Sequence, residues 1–226
     1  MWSCSAGDNL STPTRDEARG YHASMPDFLR KAYNLETQQD TDAYYSAWAA
    51  SYDDELTSQR YRTPQRCAEA LAQFVELAEP VLDIGCGTGL SGKALATQGF
   101  SNLTGHDVNE DMLALARDAG VYREVGLTDV ANPFPFEAGT FAALAAVGVI
   151  GVGAAPLSLL SQALDALAPG GCIVFSFNDH ALKLPEFPAA VRQEVAEGRV
   201  DELFNEDGPH IEGLGTRSRV YVLRRR

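Results

Sequence analysis

This chain of 226 residues has few cysteines, few histidines and few basic side chains, and each scarcity excludes something. Its four cysteines, Cys4, Cys67, Cys86 and Cys172, show no CxxC spacing and no ligand pairing with the 4 histidines. Structural zinc, any other metal centre and a disulfide framework are therefore not expected. Lys and Arg number 18 against 31 Asp and Glu, a net charge of −13. Such a surface repels phosphate backbones, so no nucleic-acid partner is expected. The short basic runs Arg217–Arg219 and Arg224–Arg226 are too small to reverse that. No apolar run is long enough to span a bilayer, so no membrane partner is expected either. The first residues scatter their apolar positions among Ser, Asp and Thr and show no signal-peptide pattern. The expected setting is a reducing cytoplasm. With 45% apolar and 22% charged residues, the composition is that of one globular domain with an elaboration.

The pattern along the chain divides it into three parts. Residues 1–24 carry Ser, Thr, Asp and Gly without a period and read as a mobile arm. Residues 25–62 are rich in aromatics, and Tyr45, Trp48 and Tyr52 share one helix face, the pattern of a helical lid segment or of a helix packed on the core. Residues 63–226 alternate strands and helices at short spacing, which predicts an α/β, doubly wound, mostly parallel sheet. Thr63 and Pro64 start a helix with Cys67, Ala70, Leu71, Phe74, Val75 and Ala78 on its buried face. Strands are expected at Val81–Ile84, Leu103–Asp107, Val121–Leu127, Phe141–Ile150, Cys172–Phe177 and Ser218–Leu223, with Arg199–Gly215 ambiguous. Asn109 caps a helix whose first turn is acidic, and Pro156–Leu167 and Pro185–Glu197 read as further helices.

The richest segment is Val81-Leu-Asp-Ile-Gly-Cys-Gly-Thr-Gly-Leu90, a short strand entering a glycine loop and then a helix. Such a unit lets a ligand lie against bare backbone. Three readings compete. Gly87, Gly89 and Gly92 spell a dinucleotide fingerprint, with Asp107 about 20 residues on where that fingerprint wants its acid. That register leaves Gly85 and Cys86 ahead of the fingerprint and places Asp83 badly for a pyrophosphate. A plain turn before a helix would not need three glycines in five residues. A cationic ligand, S-adenosylmethionine, uses both acids: Asp83 orders the loop near the α-amino group, and Asp107 accepts from the ribose hydroxyls.

Leu82-Asp-Ile-Gly-Cys-Gly-Thr-Gly89 resembles the first signature of class I S-adenosylmethionine-dependent methyltransferases. Gly105-His-Asp-Val-Asn-Glu-Asp-Met-Leu113 resembles their second, and Leu167-Ala-Pro-Gly-Gly171 before a strand their third. Tyr44–Asp53 and Tyr61-Arg-Thr-Pro64 are similar to the front of the Williams–Beuren-region methyltransferase-like proteins and their bacterial relatives. The resemblance implies a Rossmann-like seven-stranded sheet of order 3-2-1-4-5-7-6 and S-adenosylmethionine as cofactor. It implies that Gly85, Gly87 and Gly89 line the methionine moiety with Asp83 behind them, and that Cys86 and Leu90 of the same segment also bind the cofactor. Asp107 then holds the ribose, Val108 and Met112 flank the adenine, and Thr128 and Asp129 meet its amino group. Val147 faces the methyl-donor region, and Tyr52 and Arg62 close over the cofactor, Arg62 through its carboxylate. Phe141-Ala142 departs from the Phe-Asp common in relatives, a structural position.

Methyl transfer from a sulfonium is an in-line displacement in which positioning supplies most of the rate. A general base is optional; Asp179 and His180 after strand five are the candidates, because loops at the C-terminal ends of strands form the crevice of such sheets. The expected acceptor is a small molecule under the aromatic lid. A protein acceptor, a cofactor-binding regulatory protein without turnover and a nicotinamide oxidoreductase are the alternatives. The sequence leaves the acceptor atom and the oligomeric state open.

Overall fold

The computed structural model describes residues 51–226. The expected arm at 1–24 and most of the expected lid, with Tyr45 and Trp48, lie outside the described residues. Seven strands form one sheet of order β3-β2-β1-β4-β5-β7-β6, the order the resemblance implies. Four strands are parallel to β1: β1 (Val81–Ile84) pairs with β2 (Leu103–Asp107) and β4 (Ala143–Ala146), β2 with β3 (Glu124–Leu127), and β4 with β5 (Cys172–Asn178). β7 (Arg217–Arg225) runs antiparallel between β5 and β6 (Val200–Pro209).

The central strands are covered on both faces, as parallel strands are. Leu82 and Ile84 point into a cluster with Leu144, Leu160, Leu164, Phe175 and Phe177. Val81 points the other way, to Cys67, Leu71, Leu95, Leu103, Val174 and Val222. Each such large side chain, when fully buried, contributes about 1.5–3 kcal/mol of transfer free energy. This packing fixes the strand ends, and the strand ends carry the site.

Helix α1 (Thr63–Leu71) starts at the expected Thr63-Pro64 step, but Thr63 is its first residue rather than its cap, and Arg62 holds the N-cap position. The fully buried Thr63 hydroxyl instead meets His210 and Ser218 from the far end of the chain. α1 also stops at Leu71, before the expected Phe74 and Ala78: i→i+3 bonds from Gln73 and Phe74 to Ala70 and Leu71 tighten the backbone into turns. Phe74 and Leu77 are left substantially exposed. Helix α2 (Leu90–Gln98) follows the glycine loop, and α3 (Glu110–Asp118) is capped by the Asn109 side chain, which accepts from the Met112 amide. Helices α4 (Ser158–Ala166), α5 (Asp179–Leu182) and α6 (Glu186–Ala196) complete the wrapping. The ambiguous stretch after Arg199 is the ten-residue edge strand β6, joined to β7 through a 3₁₀ turn at Glu212–Leu214.

Candidate active site

A cleft opens at the C-terminal ends of β1, β2, β3 and β4, the crevice position of doubly wound sheets. Its floor is the loop Gly85, Cys86, Gly87 and Thr88, running into Leu90 and Ser91 of α2. One end is walled by Asp107, Val108, Asn109 and Met112 after β2 and by Thr128, Asp129 and Val130 after β3. The other is walled by Val147, Gly148 and Val149 after β4, and by Pro156 and Leu159. Tyr52 and Tyr61, from the segment that precedes α1, also line the cleft.

The loop is shaped by what its neighbours leave room for. A Cβ on Gly85 would stand 2.5 Å from Val149 Cγ2, so only glycine lets β1 exit beneath the β4 loop. Gly87 has φ +54, and a Cβ there would meet nothing within 4 Å: its bare backbone faces the open cleft. That cradle fits a ligand laid along the loop. Asp107 fixes its height. Gly87 N donates to Asp107 Oδ2 at 2.8 Å, and Asn109 N donates to Oδ1 at 3.0 Å. A carboxylate on the cleft wall is an acceptor suited to a ribose hydroxyl. The residues present therefore fit S-adenosylmethionine: Asp107 for the ribose, Val108 and Met112 for the adenine, the Gly85–Gly87 backbone for the methionine arm.

Asp83 stands behind the loop and does not line the cleft. Its fully buried Oδ2 accepts from Ser91 Oγ at 2.5 Å and Tyr122 Oη at 2.6 Å. Burial pushes its carboxyl up to about 6, against the pull of these two hydroxyls and with a further push from the Asp107 charge. The Tyr122 phenol is kept protonated by burial and by the neighbouring Asp83. Burial and the two carboxylates Asp83 and Asp107 likewise hold the Cys86 thiol protonated, so it is no nucleophile.

Among the sequence-predicted residues, Tyr52, Gly85, Cys86, Gly87, Leu90, Asp107, Val108, Met112, Thr128, Asp129 and Val147 come together on this cleft. Gly89 does not; it stands at the N-cap of α2. Arg62 corrects the expectation of a carboxylate clamp: its Nε lies 3.5 Å from Glu212 Oε1, and the side chain is not on the cleft wall. Asp179 and His180 are corrected as base candidates. Asn178 caps α5 by accepting from the Ala181 amide, and the helix so started carries both residues away from the cleft wall, His180 to the exposed surface. His106 lies off the cleft too, packed beside Gly126 and Phe136.

Sequence reasoning missed several groups. Tyr122 has no local signal, being 39 residues from Asp83. Asp53 accepts a short hydrogen bond from Thr88 Oγ1 and pairs with Lys93 Nζ at 3.0 Å, tying the segment before α1 to the glycine loop. Tyr61 stood in the quoted Tyr-Arg-Thr-Pro run, but nothing there gave it a place on the cleft.

A strand-end cleft with a bare glycine loop and an acid closing β2 is the architecture of a nucleoside-binding Rossmann-like enzyme. Residues 81–171 match the family model of a methyltransferase domain. Human methyltransferase-like protein 27 is 31% identical over 178 residues, spanning 76% of this chain and 68% of that protein. The chain belongs to the class I S-adenosylmethionine-dependent methyltransferases, and S-adenosylmethionine is its cofactor. A Dictyostelium discoideum protein, by name an 18S rRNA guanine-N7 methyltransferase, is 35% identical over 111 residues, 44% of this chain and 38% of that protein. Among solved structures, a Pyrococcus horikoshii protein shares the fold with a TM-score of 0.56 at 21% identity, covering 76% of this chain and 94% of that one.

These relatives overturn one expectation. The acidic composition argued against nucleic acid and the aromatic lid for a small-molecule acceptor, yet proteins named as rRNA methyltransferases from Dictyostelium, yeast and cattle stand among the similar proteins. Net charge describes the whole surface; it does not say what a single cleft admits. Among the described residues no helix is long and apolar enough to cross a membrane.

Proposed function

We propose that this enzyme methylates a ring nitrogen of a base in RNA, by in-line transfer from S-adenosylmethionine. The observation that carries the reading is the set of titratable side chains on the cleft wall. Among the described residues these are Tyr52, Tyr61, Cys86, Asp107 and Asp129, with no His or Lys. Asp107 already accepts from two amides, Asp129 accepts from the Ala131 amide at 2.9 Å, and the Cys86 thiol is held protonated. The cleft is thus poorly supplied with a base, and an acceptor that brings its own lone pair needs none. A neutral ring nitrogen such as guanine N7 is such an acceptor, and it is the atom named for the rRNA-methylating relatives. The cofactor supplies an electrophilic methyl group; the chain's own residues orient the two reactants and exclude water, which provides most of the acceleration.

A net charge of −13 opposes binding to the phosphate backbone, so recognition rests on the base that enters the cleft. A cytoplasmic setting belongs to the same proposal. The test is methyl incorporation from labelled S-adenosylmethionine into total cellular RNA, with nucleoside analysis after digestion. Label in a ring-methylated purine, declining only shallowly with added salt, is the expected result. Label confined to protein or to small molecules contradicts the reading.

A further inference from the structure

Behind the cleft lies a buried polar chain that cofactor binding does not use. Arg66 Nη1 donates to Ser218 Oγ at 3.0 Å; Ser218 Oγ lies 2.8 Å from Thr63 Oγ1; Thr63 Oγ1 lies 2.7 Å from His210 Nδ1. Thr63 and Ser218 are fully buried and His210 nearly so. A guanidinium can only donate, so the chain has a direction. Ser218 accepts from Arg66 and gives its own proton to Thr63, and Thr63 gives its proton to His210 Nδ1. The reverse order would leave the buried Ser218 proton without an acceptor among these groups. Nδ1 is therefore an acceptor, and the ring carries its proton on Nε2. Burial and the Arg66 charge hold this imidazole down to about 4, so it stays neutral.

The neutral ring packs against Tyr61, with ring centroids 5.2 Å apart at 88°. The backbone is fixed at the same place: Tyr61 bridges Ile211, and Arg62 N donates to His210 O at 2.8 Å. Tyr61 in turn lies on the exit of β4. A Cβ added to Gly148 would stand 2.5 Å from the Tyr61 hydroxyl, and Gly148 has φ +70, so glycine there makes room for the phenol. Gly148 N donates to the buried Ser176 Oγ at 3.0 Å, which fixes that exit.

The strand order says which end of the cleft this is. Asp107, the ribose acid, ends β2 on one side of β1, and Gly148 follows β4 on the other side. A ligand that starts at Asp107 and crosses the β1 loop has its far end beneath Tyr61. We propose that the Tyr61 hydroxyl hydrogen-bonds the methyl acceptor, and that His210 is the residue positioning it. The inference rests on methyl transfer in this cleft and holds for any acceptor that enters it.

The experiment compares Tyr61→Phe, His210→Gln and their double variant. Affinity for S-adenosylhomocysteine is read by calorimetry, and methyl incorporation is read in the fraction of a cell extract that wild type labels. Should that fraction be protein rather than RNA, the RNA reading fails while this inference is still scored. Tyr61→Phe is expected to keep S-adenosylhomocysteine affinity within about twofold and to lower turnover at least tenfold. His210→Gln is expected to lower turnover in the same direction, and the double variant to lose no more than Tyr61→Phe alone, because His210 acts through Tyr61. Thr63→Val, which removes the hydroxyl that holds the ring, replaces His210→Gln if that variant does not fold. Nitrogen-15 shifts of His210 should report the Nε2–H tautomer at pH 5.5. Unchanged turnover in Tyr61→Phe, a parallel loss of S-adenosylhomocysteine affinity, additive losses in the double variant, or a protonated His210 at pH 5.5 would each overturn the proposal.

Discussion

Tyr122 Oη donates to Asp83 Oδ2 at 2.6 Å while accepting from Gly92 N at 3.0 Å. This one phenol therefore bolts the end of β1 to the first turn of α2. It also explains Gly92, the third glycine of the apparent dinucleotide fingerprint. A Cβ there would fall 2.2 Å from the Tyr122 phenol, so the glycine serves an aromatic side chain behind the loop. Gly92→Ala is expected to destabilise the protein by about 1–3 kcal/mol, as overpacking does. Tyr122→Phe removes a donor from a buried carboxylate and is expected to cost about as much. Thermal unfolding of both variants checks this; wild-type stability in Gly92→Ala would disprove the account of that glycine.

Two buried groups act on stability in opposite directions across acid pH. The Asp83 carboxyl is raised to about 6 by burial, so its contribution is fully present below about 4 and is lost as pH rises through 6. His210 is lowered to about 4 by burial and Arg66, so its contribution is present above about 6.5 and is lost as pH falls through 4. Each shift of roughly two units corresponds to about 3 kcal/mol. Relative to wild type, the Tm of His210→Gln should become more favourable as pH falls from 6.5 to 4. That of Asp83→Asn should become more favourable as pH rises from 4 to 7. Parallel Tm curves for the three proteins would contradict both assignments.

Asp53 ties the segment carrying Tyr52 and Tyr61 to Thr88 of the glycine loop and to Lys93 of α2. Its partly exposed pair with Lys93 contributes little to global stability. Its effect should instead appear in kinetics. Asp53→Ala is expected to speed S-adenosylhomocysteine dissociation several-fold, with Tm within a few degrees of wild type. Stopped-flow displacement measures the rate, and an unchanged rate would remove Asp53 from the cover of the cleft.

The parts of the fold written plainly in the sequence are those whose cause is local. Val81–Ile84 and Cys172–Asn178 are rich in apolar residues because strands at the centre of the sheet are buried on both faces, and these two and Leu103–Asp107 lie within a residue of their expected bounds. β6 was illegible because an edge strand needs no such run; Val200–Pro209 carries Asp, Glu and Asn and is held by pairing with β7. The cleft residues supplied by the strand ends were legible for the same local reason. Arg62 was not, because its partner Glu212 arrives from the hairpin tip at the far end of the chain. His210 and Ser218 meet Thr63 across 147 and 155 residues, a separation no local spacing encodes.

Asp107 is the residue on which the account depends most, because its two amide contacts set the glycine loop and its carboxylate faces the cleft. The most direct measurement is calorimetric titration of wild type and Asp107→Ala with S-adenosylhomocysteine and, separately, with NAD. The account predicts micromolar S-adenosylhomocysteine binding to wild type, a loss of about 30-fold or more in Asp107→Ala as charge-assisted hydrogen bonds are removed, and no NAD binding. NAD binding in place of S-adenosylhomocysteine, or equal S-adenosylhomocysteine affinity in both proteins, would contradict it.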